Sequence, residues 1–310
     1  MEVLVTGGAG FLGSNLCEKL LQKGFSVTCL DNLYTGREAN ISHLIGNPQF
    51  RFIKHDIRQP FDNGVKYDVI FNLACPASPP AYKKDPIFTT MTCTLGVYNM
   101  IELAKKYSST LFHTSTSEIY GDPEIIPQKE TYTGNVNPIG ERSCYDEGKR
   151  CAESLLFDAK RQYGLNIKVV RIFNTYGPKM APDDGRVVTN FIIQAINNQP
   201  ITIYGDGSQT RCFCYVDDQL EGWFKLLSSE HSGPMNIGTT EEITILDFAK
   251  FVIHLTNSSS DILFQEATED DPKRRVPDIA LATRVLGWSP EISLEQGLWR
   301  TVEYIKGQVS

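Results

Sequence analysis

The chain has 310 residues, 41% of them hydrophobic and 22% charged, with a formal net charge of −7. This is an ordinary composition for a soluble globular protein, long enough for one large α/β unit or two closely joined domains. The acidic balance argues against nucleic acid or an anionic membrane surface as a partner, and no apolar run is long enough to cross a bilayer.

Met1-Glu2 leads straight into Val3-Leu4-Val5, without the basic start and apolar stretch of a signal peptide. Eight scattered cysteines (17, 29, 75, 93, 144, 151, 212 and 214) read as reduced thiols of a cytoplasmic protein. The five histidines have no ligand spacing, so no metal is expected.

In chain order, Glu2 to Val5 reads as a strand, and Phe11 to Lys23 as a helix ended by Gly24. Strands follow at Ser26 to Leu30, Arg51 to Ile53 and Asp68 to Leu73. A long helix is predicted from about Pro86 to Tyr107, a strand at Thr110 to Thr114, a second long helix from Cys144 to Tyr163, and a strand at Ile167 to Ile172. Strands alternating with helices predict an α/β fold, a Rossmann-type doubly wound parallel sheet covered on both faces. After about Asn174, Pro, Gly and Asp cluster and the elements shorten, with a polar segment from Glu266 to Pro277. The expected organisation is a cofactor-binding domain over 1–175, with part of 212–235 returning to it, and a smaller α/β substrate domain over 176–310.

Gly7, Gly10 and Gly13 form G-x-x-G-x-x-G between the first strand and the first helix. Glycine there permits a tight turn and lets the backbone approach a pyrophosphate, while the helix N-terminus presents N–H groups and a favourable dipole. Asp31 ends the second strand, where a carboxylate accepts a ribose diol and repels a 2′-phosphate, so NAD is favoured over NADP. Asp56, after the third strand, is placed for the adenine or is an ordinary strand-end aspartate. The candidate cofactor residues are Gly7, Gly10, Phe11, Leu12, Gly13, Asp31, Asn32, Thr35, Gly36, Asp56, Ile57, Leu73, Ala74, Thr92, Tyr145 and Lys149.

In such a sheet the carboxyl ends of the strands form the ligand crevice. That places Thr116, Ser117 and Glu118 beside it, unless the hydroxyls merely cap the strand and Glu118 is a surface carboxylate. Tyr145 and Lys149 stand one helical turn apart, on one face. An ammonium beside a phenol is expected to lower the phenol's pKa and prepare a general base.

The stretches TGGAGFLGSNL, S-T-S-E-x-Y-G, Y-x-x-x-K and R-I-F-N-x-Y-G-P resemble the extended short-chain dehydrogenase/reductase family. Within it, CPASPPAY, VNPIGERSCYDEGKR, YGDGSQTRCFCYVDD and DDPKRRVPDI are similar to the UDP-glucuronate decarboxylases. The resemblance covers nearly the whole chain. It implies oxidation of UDP-glucuronate at C4 by NAD, loss of CO2 from the resulting β-keto acid, and re-reduction to UDP-xylose. Thr116, Ser117, Glu118, Tyr145, Lys149 and Arg275 are the implied catalytic residues. Pro76, Ser78, Tyr82, Asn174, Arg186, Asn190, Tyr204, Arg211 and Arg275 are the implied substrate contacts, although each arginine taken alone reads equally as a surface ion pair. Ser117 stands where the similar dTDP-glucose 4,6-dehydratases carry aspartate, which counts against elimination of water. A 4-epimerase, or a protein that binds NAD and nucleotide sugar without turnover, are the other readings. Met91 and Cys93 depart from the pattern, where relatives tend to have lysine and asparagine. The resemblance also implies a homodimer built on the two long helices.

Overall fold

The computed structural model describes residues 1–266 and 274–309, so residues 267–273 of the expected polar segment lie outside the described residues. The chain divides into two compact units. The first comprises Met1–Ile119, Val136–Arg171 and Trp223–Met235; the second comprises Tyr120–Asn135, Ile172–Gly222 and Asn236–Ser310. Relative to limits drawn at 175 and 176, the segment 120–135 groups with the second unit. The reason is a set of hydrogen bonds made there by Gln128, which exchanges backbone bonds of 2.8 Å with Val276 and Asp278 and accepts the Asn236 side chain at 2.9 Å.

The first part of the chain runs β1 (Glu2–Thr6), α1 (Phe11–Gln22), β2 (Ser26–Asp31), β3 (Phe50–Lys54), β4 (Val69–Asn72), α2 (Pro79–Lys84) and α3 (Pro86–Met91). After a π turn at Thr92–Gly96 come α4 (Val97–Tyr107), β5 (Thr110–Thr116), α5 (Ser143–Tyr163) and β6 (Ile167–Ile172). The second unit adds β7 (Thr175–Tyr176), α6 (Val187–Ile196), β8 (Ile201–Tyr204), β9 (Thr210–Cys212) and β10 (Cys214–Tyr215). Then follow α7 (Val216–Ser228), β11 (Met235–Ile237), β12 (Glu242–Thr244), α8 (Ile245–Thr256), β13 (Ile262–Gln265), α9 (Ala280–Leu286) and α10 (Leu294–Val309).

The main sheet has seven strands in the order β11-β6-β5-β4-β1-β2-β3, with parallel pairing from β5 through β4 and β1 to β3. The doubly wound parallel architecture expected from the alternating pattern is therefore present. Strand order reverses between β1 and β4, where such sheets open a ligand crevice. Both strands are buried on both faces, so they read as continuous apolar runs rather than alternating ones. Leu4, Ile70 and Leu111 of the sheet pack with Val97, Met100 and Ile101 of α4 and with Ala152 and Leu156 of α5.

The helix expected over 86–107 is interrupted by the π turn. Three threonine hydroxyls, at 90, 92 and 94, donate back to carbonyls four residues earlier at 3.0, 2.8 and 2.8 Å. Such back-bonding competes with the helical ladder and bends it. The second unit is built on three two-stranded pairings, β7–β10, β8–β13 and β9–β12. Phe191, Phe213 and Phe248 stack at its centre, with ring centroids 4.6 and 5.8 Å apart.

Candidate active site

The glycine loop is a backbone-built cradle. Gly7 adopts φ +67°, and a Cβ there would lie 2.9 Å from the Ala74 backbone. A Cβ on Gly13 would lie 2.1 Å from the Gly7 carbonyl oxygen, so α1 approaches β1 more closely than any side chain allows. The helix begins at Phe11 without a side-chain cap, leaving its N-terminal dipole facing the loop. Leu73 and Ala74 donate their N–H groups to the Thr6 hydroxyl, each at 3.2 Å, which ties the end of β4 to the end of β1.

Asp31 is buried at the end of β2 and accepts the N–H of Ala9 at 2.9 Å and of Leu33 at 2.8 Å. Burial raises its pKa, and those two N–H groups hold it back. Gly36 passes so close that a Cβ would lie 2.7 Å from the Asp31 carboxylate, while Thr35 is exposed beside it. Asp56 is engaged by Arg58 through Nη2 at 2.7 Å and Nε at 3.1 Å, and by the Asn32 amide at 3.2 Å. Burial opposes its ionisation, but the Arg58 and Asn32 hydrogen bonds prevail and hold the carboxyl below its usual range. Ile57 is buried against Gly96, and the Thr92 hydroxyl donates to Phe88 O within its own helix.

The catalytic candidates of the first unit come together at the carboxyl end of β5. Tyr145 is 6% exposed, with its phenol close to Thr116. Lys149 Nζ lies 5.9 Å from the Tyr145 ring centroid and donates to the Thr114 carbonyl at 2.8 Å. The expectation that Lys149 lowers the phenol's pKa is corrected here. Burial pushes Tyr145 well above its ordinary value, with Cys75, Glu118 and Cys93 adding to this and Thr116 opposing it. Ser117 is buried, and the Glu118 N–H donates to the Thr116 hydroxyl at 3.2 Å.

Sequence reasoning missed Arg142, which donates a short hydrogen bond to the Glu118 carboxylate. Arg142 also lies 3.8 Å from Asp146, four residues along α5. That i,i+4 spacing beside Tyr145 was the available signal. Beneath the strand end, Glu153 accepts Arg171 at 2.9 and 2.7 Å and the Ser115 hydroxyl at 2.6 Å, all nearly buried. This second unforeseen group fixes β5 one residue before Thr116.

Tyr82, expected at the sugar, is 1% exposed and stacks on Tyr145 with centroids 5.2 Å apart. Ser78 is buried, and its carbonyl starts α2 by accepting the N–H of Ala81 and of Tyr82, both at 3.0 Å. Pro76 is buried just after Cys75. Met91 is 39% exposed, whereas Cys93 is buried against Gly148.

The remaining substrate candidates belong to the second unit. Arg186 Nε pairs with Asp184 at 3.1 Å at the start of α6, and Asn190 follows one turn later. Arg211 is buried on β9 and donates to Thr210 O at 2.8 Å. Arg275 is buried beside Val276, whose N–H donates to Gln128 Oε1 at 2.8 Å. Asn174 O accepts the Cys214 N–H at 2.8 Å, and Tyr204 is 48% exposed at the end of β8. Among the described residues no cluster of metal-ligating side chains occurs, and no helix is long and apolar enough to cross a membrane.

A glycine cradle at a sheet's switch point beside a tyrosine–lysine helix defines a class of dinucleotide-dependent enzymes. The chain matches the NAD dependent epimerase/dehydratase family over residues 3–238, and it belongs to that family. It is 50% identical to UDP-glucuronic acid decarboxylase 1 of Arabidopsis thaliana, over 100% of this chain and 71% of that protein. It is 49% identical to UDP-glucuronic acid decarboxylase 1 of Danio rerio, over 99% of this chain and 73% of that one. Among solved structures it is similar to a UDP-glucuronic acid 4-epimerase from Bacillus cereus in complex with UDP-glucuronic acid and NAD. There the TM-score is 0.89 at 30% identity, over 99% of this chain and 100% of that one. A UDP-glucose 4-epimerase from Thermotoga maritima superposes with a TM-score of 0.92 at 29% identity, over the full length of both chains.

The cofactor is NAD, and the residues present fit it. The uncapped N-terminus of α1 behind the tight Gly7–Gly13 loop suits a pyrophosphate, and the buried Asp31 at the strand end suits a ribose diol.

Proposed function

We propose that the protein decarboxylates UDP-glucuronate to UDP-xylose in a closed redox cycle. The observation that carries this reading is Tyr145 buried beside Thr116 with Lys149 one helical turn on, in a chain 50% identical to UDP-glucuronic acid decarboxylases.

NAD⁺, when bound, would supply the hydride acceptor for C4. Thr116 orients the C4 hydroxyl, and Tyr145, which must first lose its own proton against the effect of burial, takes the hydroxyl proton as the phenolate. The oxidised sugar is a β-keto acid, whose carboxylate leaves as CO2 with its electrons held by the ketone. This chain's residues therefore need only hold the geometry and the developing charge. Tyr145 returns its proton as C4 is reduced again. Arg142 keeps Glu118 oriented toward its role at the C5 centre. Lys149 is held one turn from Tyr145 by the Thr114 carbonyl, on the same helical face. Within the second unit, the buried Arg275 suits a carboxylate, and the buried Arg211, with Arg186 at the start of α6, suits a diphosphate.

The working form is a homodimer in the cytoplasm. Ile87, Met91, Leu95 and Tyr98, spaced four, four and three apart along α3 to α4, are 76%, 39%, 38% and 49% exposed. Such an apolar stripe on one helical face suits a second copy. All eight cysteines are free, as a reducing compartment would keep them.

Incubation with UDP-glucuronate and NAD⁺ tests the reading, with the sugar followed by NMR and the cofactor by NADH absorbance. UDP-xylose without net NADH is expected. A 4-epimerised hexuronate with its carboxylate intact would transfer the protein to the activity of its structural neighbour from Bacillus cereus. Absence of any sugar product from folded, NAD-bound protein would end the decarboxylase reading.

A further inference from the structure

Two cysteines from different segments meet beside the proposed base. Cys75 follows β4 by three residues and Cys93 sits in the π turn, and their sulfurs are 3.1 Å apart. Both are free thiols. Cys75 is half-buried, and Cys93 is 1% exposed.

Each cysteine has neighbours on the Tyr145 helix. A Cβ on Gly148 would lie 2.9 Å from Cys93 Cβ and 3.3 Å from its sulfur, and Gly148 stands between Tyr145 and Lys149 on α5. Cys75 packs against the cluster of Tyr82, Cys144 and Tyr145. The Cys75 hydrogen bond, helped by the positive charge of Lys149, draws the Cys93 thiol below its ordinary value in spite of burial. Cys93 is thus the more readily ionised sulfur of the pair, and the thiolate is the nucleophilic form.

We propose that Cys75 and Cys93 form an oxidisable dithiol whose closure to a disulfide switches the enzyme off. The oxidant is a peroxide. The ionised sulfur attacks the O–O bond, which breaks; an S–O bond forms, and hydroxide leaves. The second sulfur then attacks the oxidised one, forming the S–S bond and breaking the S–O bond. Two thiols lose two electrons and two protons, and the peroxide leaves as two waters. A dithiol reductant reverses the closure by exchange.

Inactivation follows from the geometry. A disulfide bond is about 2.05 Å long, so the two sulfurs must close by roughly 1 Å. That draws the segment after β4, on which Tyr145 packs, toward the π turn, on which its helix packs through Gly148. A misplacement of about 1 Å at a reacting centre costs on the order of 100-fold in rate. The activity consequence rests on the proposed function, whereas the cross-link does not.

The test uses the full-length protein with NAD⁺, treated with hydrogen peroxide, alkylated and digested with trypsin without reduction. Cys75, Cys93 and Cys144 fall on separate tryptic peptides, 67–83, 85–105 and 143–149. The expected product joins 67–83 to 85–105, with a roughly 10- to 100-fold loss of decarboxylation that dithiothreitol restores. Cys75→Ser and Cys93→Ser should each keep their activity through the same treatment. Absence of that linked peptide, or a link to 143–149 instead, would overturn the proposal. So would the linked peptide in a fully active enzyme, or equal inactivation of both serine variants. The peptide map needs no variant and no substrate, so it stands even if a serine variant does not fold or UDP-glucuronate is not turned over.

Discussion

The glycine loop and the Tyr145 pocket, both in the first unit, are built from opposite materials. The loop is one short stretch whose shape is set by backbone, and its decisive fact is the space a Cβ at Gly13 would need, 2.1 Å from Gly7 O. The pocket is assembled from side chains of separate segments, with Thr116 from β5, Tyr82 from α2 and Tyr145 from α5. A backbone site tolerates almost any neighbour but only one residue type at its contact points. A side-chain site keeps its residue types but depends on every element that delivers them.

The largest effect that breaks the pocket while sparing the loop is Tyr145→Phe. It removes the proton acceptor and leaves the stacked ring, so kcat should fall by about 10³-fold with NAD affinity little changed by calorimetry. The same variant checks the phenol's state. Because burial holds Tyr145 above its ordinary value, a tyrosinate difference spectrum between wild type and variant, without cofactor, should stay flat from pH 7 to pH 10. A transition near neutrality would contradict the burial argument.

Next comes the support under the pocket. Glu153→Ala leaves the Arg171 guanidinium buried without its carboxylate, at a cost of about 3–5 kcal/mol in urea unfolding. Glu153→Gln, which retains an acceptor, should recover part of that loss. An unchanged midpoint for Glu153→Ala would show that the group is not load-carrying in the folded chain.

Breaking the loop instead should act on binding. Gly13→Ala forces the Gly7 carbonyl and the Gly8 backbone aside, and NAD affinity should fall about 100-fold, or ~2.7 kcal/mol. Tyr145 and Thr116 stay in place, so kcat at saturating NAD should hold within a few fold. An equal loss in kcat would mean that loop and pocket are one mechanical piece.

The smallest effect links the two regions through pH. Thr6 of β1 donates to Asn72 at 2.7 Å, and the Asn72 amide contacts His113 Nδ1 at 3.2 Å. Burial, with the charge of Lys149, holds the His113 pKa well below its ordinary value of 6.5. A base depressed in the folded state takes up its proton first on unfolding. Its stabilisation is therefore complete above pH 6.5 and is lost as pH falls below it, by up to about 1.4 kcal/mol per pH unit. Wild type should lose about 1 kcal/mol more than His113→Asn between pH 6.5 and pH 5.5. Parallel stability curves would count against a neutral buried imidazole.

Much of this was legible in the sequence. The strands of the main sheet, the helix starting at Phe11 and the Gly7–Gly13 cradle follow from local pattern, because glycine geometry and hydrophobic periodicity act over a few residues. The Tyr145–Lys149 spacing was legible for the same reason. The π turn was not, since it depends on threonine hydroxyls choosing carbonyls four residues back and on the close approach of Cys93 to Gly148.

The sequence by itself determined the α/β class, the dinucleotide cradle and the residue types available for chemistry, because these depend on backbone sterics and on periodicities within one element. Only the tertiary structure decided how those residues are tuned. It turned Lys149 to the Thr114 carbonyl, set Arg142 on Glu118, buried Tyr82 against Tyr145 and brought Cys75 to Cys93. Each is a contact between distant segments, and burial, which moves the Tyr145 phenol upward, is a property of the packed chain and of no stretch within it.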